Sequence, residues 1–127
     1  MTINAVQRLA ACAALILATL ATNASAEPAS KWRIQFDHYA RDPGELVLRI
    51  TPLNGTPIDV TTQIADAKSE NQAADLLRKS LKTALGKGYH VEVDDGEDVI
   101  LKRKGKTPKF EVTLVSNTVN GLSVTIK

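Results

Sequence analysis

The chain has 127 residues, with 16 Lys and Arg against 14 Asp and Glu and a formal net charge of +2. So near a balance excludes the global cationic footprint of a protein that coats nucleic acid or a membrane surface. The single cysteine, Cys12, excludes a disulfide scaffold and a multi-cysteine zinc site.

The first 26 residues have the layout of a signal peptide. Arg8 and the amino terminus supply positive charge, and Leu9 to Thr22 is an apolar run. Asn23 breaks the run, and Ala24-Ser25-Ala26 fits the small-x-small rule for cleavage, which would leave Glu27 first. The apolar run holds 14 residues, whereas a spanning helix needs about 20, so no transmembrane segment is expected. Leu9-Ala10-Ala11-Cys12 has the spelling of a lipoprotein site. Its apolar stretch lies after the cysteine rather than before it, which argues against a lipid anchor. Cleavage removes Arg8 from 16 basic residues and none of the 14 acidic ones, so the net falls from +2 to +1. The mature chain then has no cysteine, and thiol catalysis is excluded for it. The expected location is the periplasm or the medium, and residues 27–127 are expected to form a single domain.

Lys31 to Ala40 alternates, with Trp32, Ile34 and Phe36 on one face and Arg33, Gln35 and Asp37 on the other. That predicts a half-buried strand, and the same parity places His38 at the end of the buried face. Asp42-Pro43-Gly44 predicts a tight reversal. Glu45 to Leu53 predicts a second strand with Leu46, Leu48 and Ile50 inward. Asn54-Gly55 predicts a turn, loosened by Pro52 and Pro57. Ile58 to Ile64 predicts a third strand.

The period then changes. Ala73, Leu76, Leu77, Leu81, Ala84 and Leu85 recur at three and four, the mark of an amphipathic helix over Ser69 to Leu85. Ser69 and Gln72 have capping-box spacing, and Gly86 supplies a stop. Four short strands follow. Tyr89, Val91 and Val93 alternate with His90 and Glu92, and Asp94-Asp95-Gly96 turns the chain into Val99 to Lys104. After Gly105-Lys106-Thr107-Pro108, Phe110, Val112 and Leu114 alternate with Glu111, Thr113 and Val115. Leu122, Val124 and Ile126 close the chain. Hairpin-length links predict an α+β fold: an antiparallel sheet of six to seven short strands with one amphipathic helix on one face.

The Thr- and Val-rich strand at Ile58, the helix with Ala73-Ala74-Asp75-Leu76-Leu77, the Tyr-x-Val-x-Val strand at Tyr89 and the closing Gly-Leu-Ser-Val at Gly121 to Val124 form one series. From Ile58 to Ile126 it resembles the small strand–helix–strand–strand module that recurs in phage tail proteins and bacterial surface proteins. The resemblance covers a little over half the chain. It implies an assembly or display unit without catalytic residues, and it carries over no site.

Catalytic motifs are scarce. His38 and His90 each have a carboxylate nearby in sequence, but no Gly-x-Ser-x-Gly elbow exists to supply a nucleophile. The acidic run Glu92, Asp94, Asp95, Glu97, Asp98 invites a calcium site. Aligning Gly96 with the loop glycine puts Val93 where a carboxylate is required, so the pattern fails and a solvated hairpin tip is expected. No cofactor and no metal site are expected. Of the five aromatics, Trp32, Phe36, Tyr89 and Phe110 fit buried parity and Tyr39 does not.

The basic run Lys102, Arg103, Lys104, Lys106, Lys109 follows directly. With a signal peptide, its anionic partner would be an envelope component or an acidic protein rather than nucleic acid. Lysines that guard an edge strand give the same pattern. The candidate binding residues are Asp94, Asp95, Glu97 and Asp98 with Lys102, Lys104 and Lys106, and opposite charges there can also pair across the hairpin. The expected function is that of an exported, non-enzymatic protein that binds or assembles with another macromolecule of the envelope; a homo-oligomer is compatible with it. An inhibitor or immunity protein of a periplasmic or secreted enzyme is a second expectation. A small hydrolase using a histidine and a carboxylate is a third.

Overall fold

The computed structural model describes residues 27–65 and 68–127. The proposed signal peptide and its cleavage site therefore lie outside the described residues. Seven strands and one helix run in the order β1 (Lys31–His38), β2 (Gly44–Pro52), β3 (Ile58–Ile64), α1 (Glu70–Leu85), β4 (Tyr89–Asp94), β5 (Asp98–Arg103), β6 (Phe110–Asn117) and β7 (Leu122–Ile126). A single 3-10 turn, Gly86–Gly88, joins α1 to β4. The α+β class and the strand count follow the expectation. The strands divide into two antiparallel sheets, β4-β5-β1-β7 and β3-β2-β6. Among the described residues no helix is long and apolar enough to cross a membrane.

Period-two burial drives both sheets. Ile34 and Phe36 of β1, Leu46, Leu48 and Ile50 of β2, and Val60, Thr62 and Ile64 of β3 point inward, with polar residues between them outward. The helix packs on β3, β4, β1 and β5 and buries Ala73, Ala74, Leu77 and Leu81. Each buried leucine contributes about 1.5–3 kcal/mol. Both halves of the capping box form: the Ser69 hydroxyl accepts from the Gln72 amide at 3.2 Å, and the Gln72 side chain accepts from the Ser69 amide at 2.9 Å. Gly86 ends the helix with φ 67°.

Four expectations fail at element ends. His38 does not close the buried face; it is exposed, with φ 69°, because the chain leaves the β region there to cross between sheets. Leu114 shares parity with Phe110 and Val112 yet is 42% exposed. It pairs with the buried Leu48, so its parity holds and what it lacks is cover; beyond it Val115 is an extra residue on β6, where the β2–β6 register shifts between Val47 and Leu48. Ala84 lies on the helix's apolar stripe but is exposed, whereas its neighbour Leu85 packs against the core. Asp98, expected at a solvated tip, is 6% exposed.

Phe110 joins the layers. Its ring meets Tyr89 edge-on at 5.1 Å between centroids. Its carbonyl accepts from Trp32 Nε1 at 2.7 Å and from the Ala29 amide at 2.8 Å, and its amide donates back to Ala29. The leader before β1 is thereby tied to the start of β6.

Candidate functional site

The β4–β5 hairpin carries Asp94, Asp95, Glu97, Asp98 and Lys102, and Lys104 and Lys106 follow it in the β5–β6 connection. Its register runs from Tyr89↔Arg103 at the base to Asp94↔Asp98 at the tip. Asp95 and Gly96 turn the chain there with φ 53° and 77°, the left-handed conformation that an Asp-Gly pair adopts readily. Six residues at ~3.3 Å each separate base from tip by about 17–20 Å. The acidic and basic candidates therefore sit at opposite ends rather than on one surface.

At the tip two of the four carboxylates, Asp94 and Asp98, are engaged. Arg33, outward on β1, donates Nη2 to Asp94 at 2.9 Å and Nη1 to Asp98. Its guanidinium is held more firmly protonated by hydrogen bonds first to Asp94 and then to Asp98. One oxygen of Asp98, Oδ1, is buried without a hydrogen-bond partner. Asp95 is exposed. Glu97 is crowded by Glu70 at the start of α1, by its own desolvation and by Asp98 and Asp37, and its carboxyl is raised above the ordinary glutamate range. Among the described residues no group of three or more His, Cys, Asp or Glu is placed to hold a metal ion.

In mid-hairpin Glu92 accepts from Lys102 at 3.4 Å across the strands and contacts His90 at 3.2 Å. Hydrogen bonds from His90 first and Lys102 second hold the Glu92 carboxyl below its usual range. His90 lies toward the base, whereas His38 lies beyond the tip end of β1, so the two histidines do not meet.

The base is different. The Lys104 amide donates to the Gly88 carbonyl at 2.9 Å, which sets the Gly86–Gly88 turn with its Lys87 beside the β5–β6 connection. Arg103 is tied down, with Nε to Ser30 Oγ at 3.0 Å and Nη1 to the Thr107 carbonyl at 3.1 Å. Lys31 faces Lys102 in the β1–β5 register, and Lys109 precedes the Ala29–Phe110 bridge. Lys31, Lys87, Lys104, Lys106 and Lys109 are all exposed, and none has an ion-pair partner among the described residues. The helix runs antiparallel to β4, so its negative C-terminal end, with the paired Asp75 far behind, points toward these lysines.

Sequence reasoning placed Lys104, Lys106 and Lys109 in one basic run but missed Lys31 and Lys87, which only the fold brings to the base. It also missed Arg33, whose outward parity was legible but whose alignment beside Asp94 and Asp98 depends on β1 lying next to β5. Compared with known protein families and with characterised proteins, the chain matches none.

Proposed function

We propose that this protein is an exported, non-enzymatic binding module that engages an anionic macromolecule of the cell envelope through the lysine-rich base of the β4–β5 hairpin. The observation that carries the reading is the asymmetry of the hairpin. In its acidic half Asp94, Asp98 and Glu92 are engaged inside the molecule by Arg33, His90 and Lys102, which leaves Asp95 and Glu97. Its basic end keeps five exposed lysines without ion-pair partners among the described residues. Clustered unpaired cations on a rigid edge raise the local potential and steer anionic partners. The signal-peptide layout of residues 1–26 supports an envelope or extracellular setting. The resemblance of the Ile58–Ile126 run to an assembly module is in keeping with a role without catalysis.

The test is capture from a gently cross-linked envelope fraction, with the parent chain and the Lys87→Glu/Lys104→Glu/Lys106→Glu variant run side by side and the eluates read by mass spectrometry. An anionic envelope component recovered by the parent and lost by the variant supports the reading. A single stoichiometric enzyme held equally by both would overturn it in favour of an inhibitor.

A further inference from the structure

The open edge of β3 is a second surface, independent of the lysines. β3 pairs with β2 alone and closes one side of its sheet. Which of its backbone groups are free follows from parity. The Leu53 amide donates to Lys109, and the Glu45 carbonyl accepts from the Thr118 amide, so odd-numbered residues of β2 turn their backbone groups toward β6. Even-numbered ones therefore turn toward β3, and Leu46, Leu48 and Ile50 exchange bonds with Thr62, Val60 and Ile58. That leaves the N–H and C=O of Asp59, Thr61 and Gln63 directed out of the edge. All three residues are exposed.

β3 differs from two of the other three edge strands, β4 and β6; the third, β7, is likewise free of Lys, Arg and Pro but is only 5 residues long. The outward residues of β4 are His90, Glu92 and Asp94, and both carboxylates are ion-paired. β6 starts under the Ala29 bridge and is bulged at Val115. β3 is seven residues long, unbulged, and has no Lys, Arg or Pro. Beside it lies an open groove of about 420 Å³, lined by Asp59, Val60 and Thr61 of the strand and by Ser80, Thr83 and Ala84 of the helix with Lys79 at its rim. These helix side chains are small and leave the edge accessible. Ala84, exposed on the apolar stripe, faces this groove.

We propose that the β3 edge pairs with the β3 edge of a second copy, antiparallel about a two-fold axis through Thr61. The strand's own charge pattern selects that occupant. With Thr61 opposite Thr61 of the second copy, Asp59 falls opposite Gln63 and Gln63 opposite Asp59. No like charges meet, and Thr–Thr and Asp–Gln are favourable cross-strand pairs. Asp59 already receives Arg49 at 2.8 Å, and Gln63 donates to Glu45 at 2.9 Å. The pairing joins these into one row, Arg49–Asp59–Gln63–Glu45, repeated in reverse by symmetry. The result is a continuous six-stranded sheet with an isologous, closed interface.

The full chain is expressed in a bacterium, recovered as exported, and its mass measured by light scattering at about 0.1 mM, where micromolar association is saturated. A dimer is expected. Thr61→Lys puts two cations across the axis on the solvent face without touching the core, and it is expected to give monomer with an unchanged circular-dichroism spectrum. Thr61→Cys is expected to form a symmetric disulfide that the parent chain does not, since directly opposed residues lie at a bridgeable spacing of ~5.5 Å. A monomeric parent chain overturns the proposal. So does a dimer that survives Thr61→Lys but is lost on Val115→Lys, which would move the interface to β6, or on Lys104→Glu, which would move it to the lysines.

Discussion

Replacing Phe110 with Ala removes a fully buried ring while leaving the backbone bonds of residue 110 chemically intact. The amide and carbonyl still serve Ala29 and Trp32, so the loss is one of packing. Truncating a buried Phe to Ala costs about 3–5 kcal/mol, a range that includes the lost edge-on contact with Tyr89. A domain near a hundred residues has about 5–15 kcal/mol in total, so the loss is a substantial share of its margin. At about 4–8 °C per kcal/mol, Tm falls by at least ~12 °C. Urea unfolding followed by circular dichroism and by Trp32 fluorescence measures the free energy, with the two probes expected to coincide, and a thermal melt measures the Tm. A loss below about 1 kcal/mol would refute the reasoning, because it would mean that the ring does not join the two sheets.

Three further outcomes follow from the geometry. Ser69→Ala removes the hydroxyl half of the capping box and should cost about 1 kcal/mol, read as a drop in urea midpoint at constant m-value. Arg33→Met strands Asp98 in its 6%-exposed position without a cation, and stability at neutral pH should fall, read as a drop in urea midpoint that Arg33→Lys makes smaller. Glu97 binds its proton more tightly folded than unfolded, so its contribution to stability declines as pH rises from the ordinary glutamate range through the raised value. Glu97→Gln should therefore be more stable than the parent at neutral pH, the gain disappearing below the ordinary range; an equal gain at every pH would contradict the crowding by Glu70.

Local periodicity carried much of this fold. The alternation of Ile34 and Phe36, the three-and-four spacing of Ala73, Leu77 and Leu81, and the Ser69–Gln72 cap each appear in the structure where the residues imply them, because each is settled within a few residues. What was not legible depended on which strands are neighbours. Asp98 is solvated if β5 is an edge and buried if β1 lies beside it; the sequence does not encode that adjacency in any short pattern. Leu114 keeps its expected parity opposite Leu48 but lies at the uncovered end of the strand beside the extra residue Val115, which no short pattern marks. At the candidate site Lys104 and Lys106 were visible as a run, whereas Lys31 and Lys87 join them only through the Ser30–Arg103 and Gly88–Lys104 hydrogen bonds.

The central claim, that the lysine-rich base is the working surface, is tested most directly by co-sedimentation of the purified protein with an envelope fraction across a salt series. The account predicts that the bound fraction falls steeply as salt rises, and that Lys87→Glu/Lys104→Glu/Lys106→Glu is unbound at low salt with its Tm unchanged. Binding that is insensitive to salt and equal in the parent and the variant would contradict it.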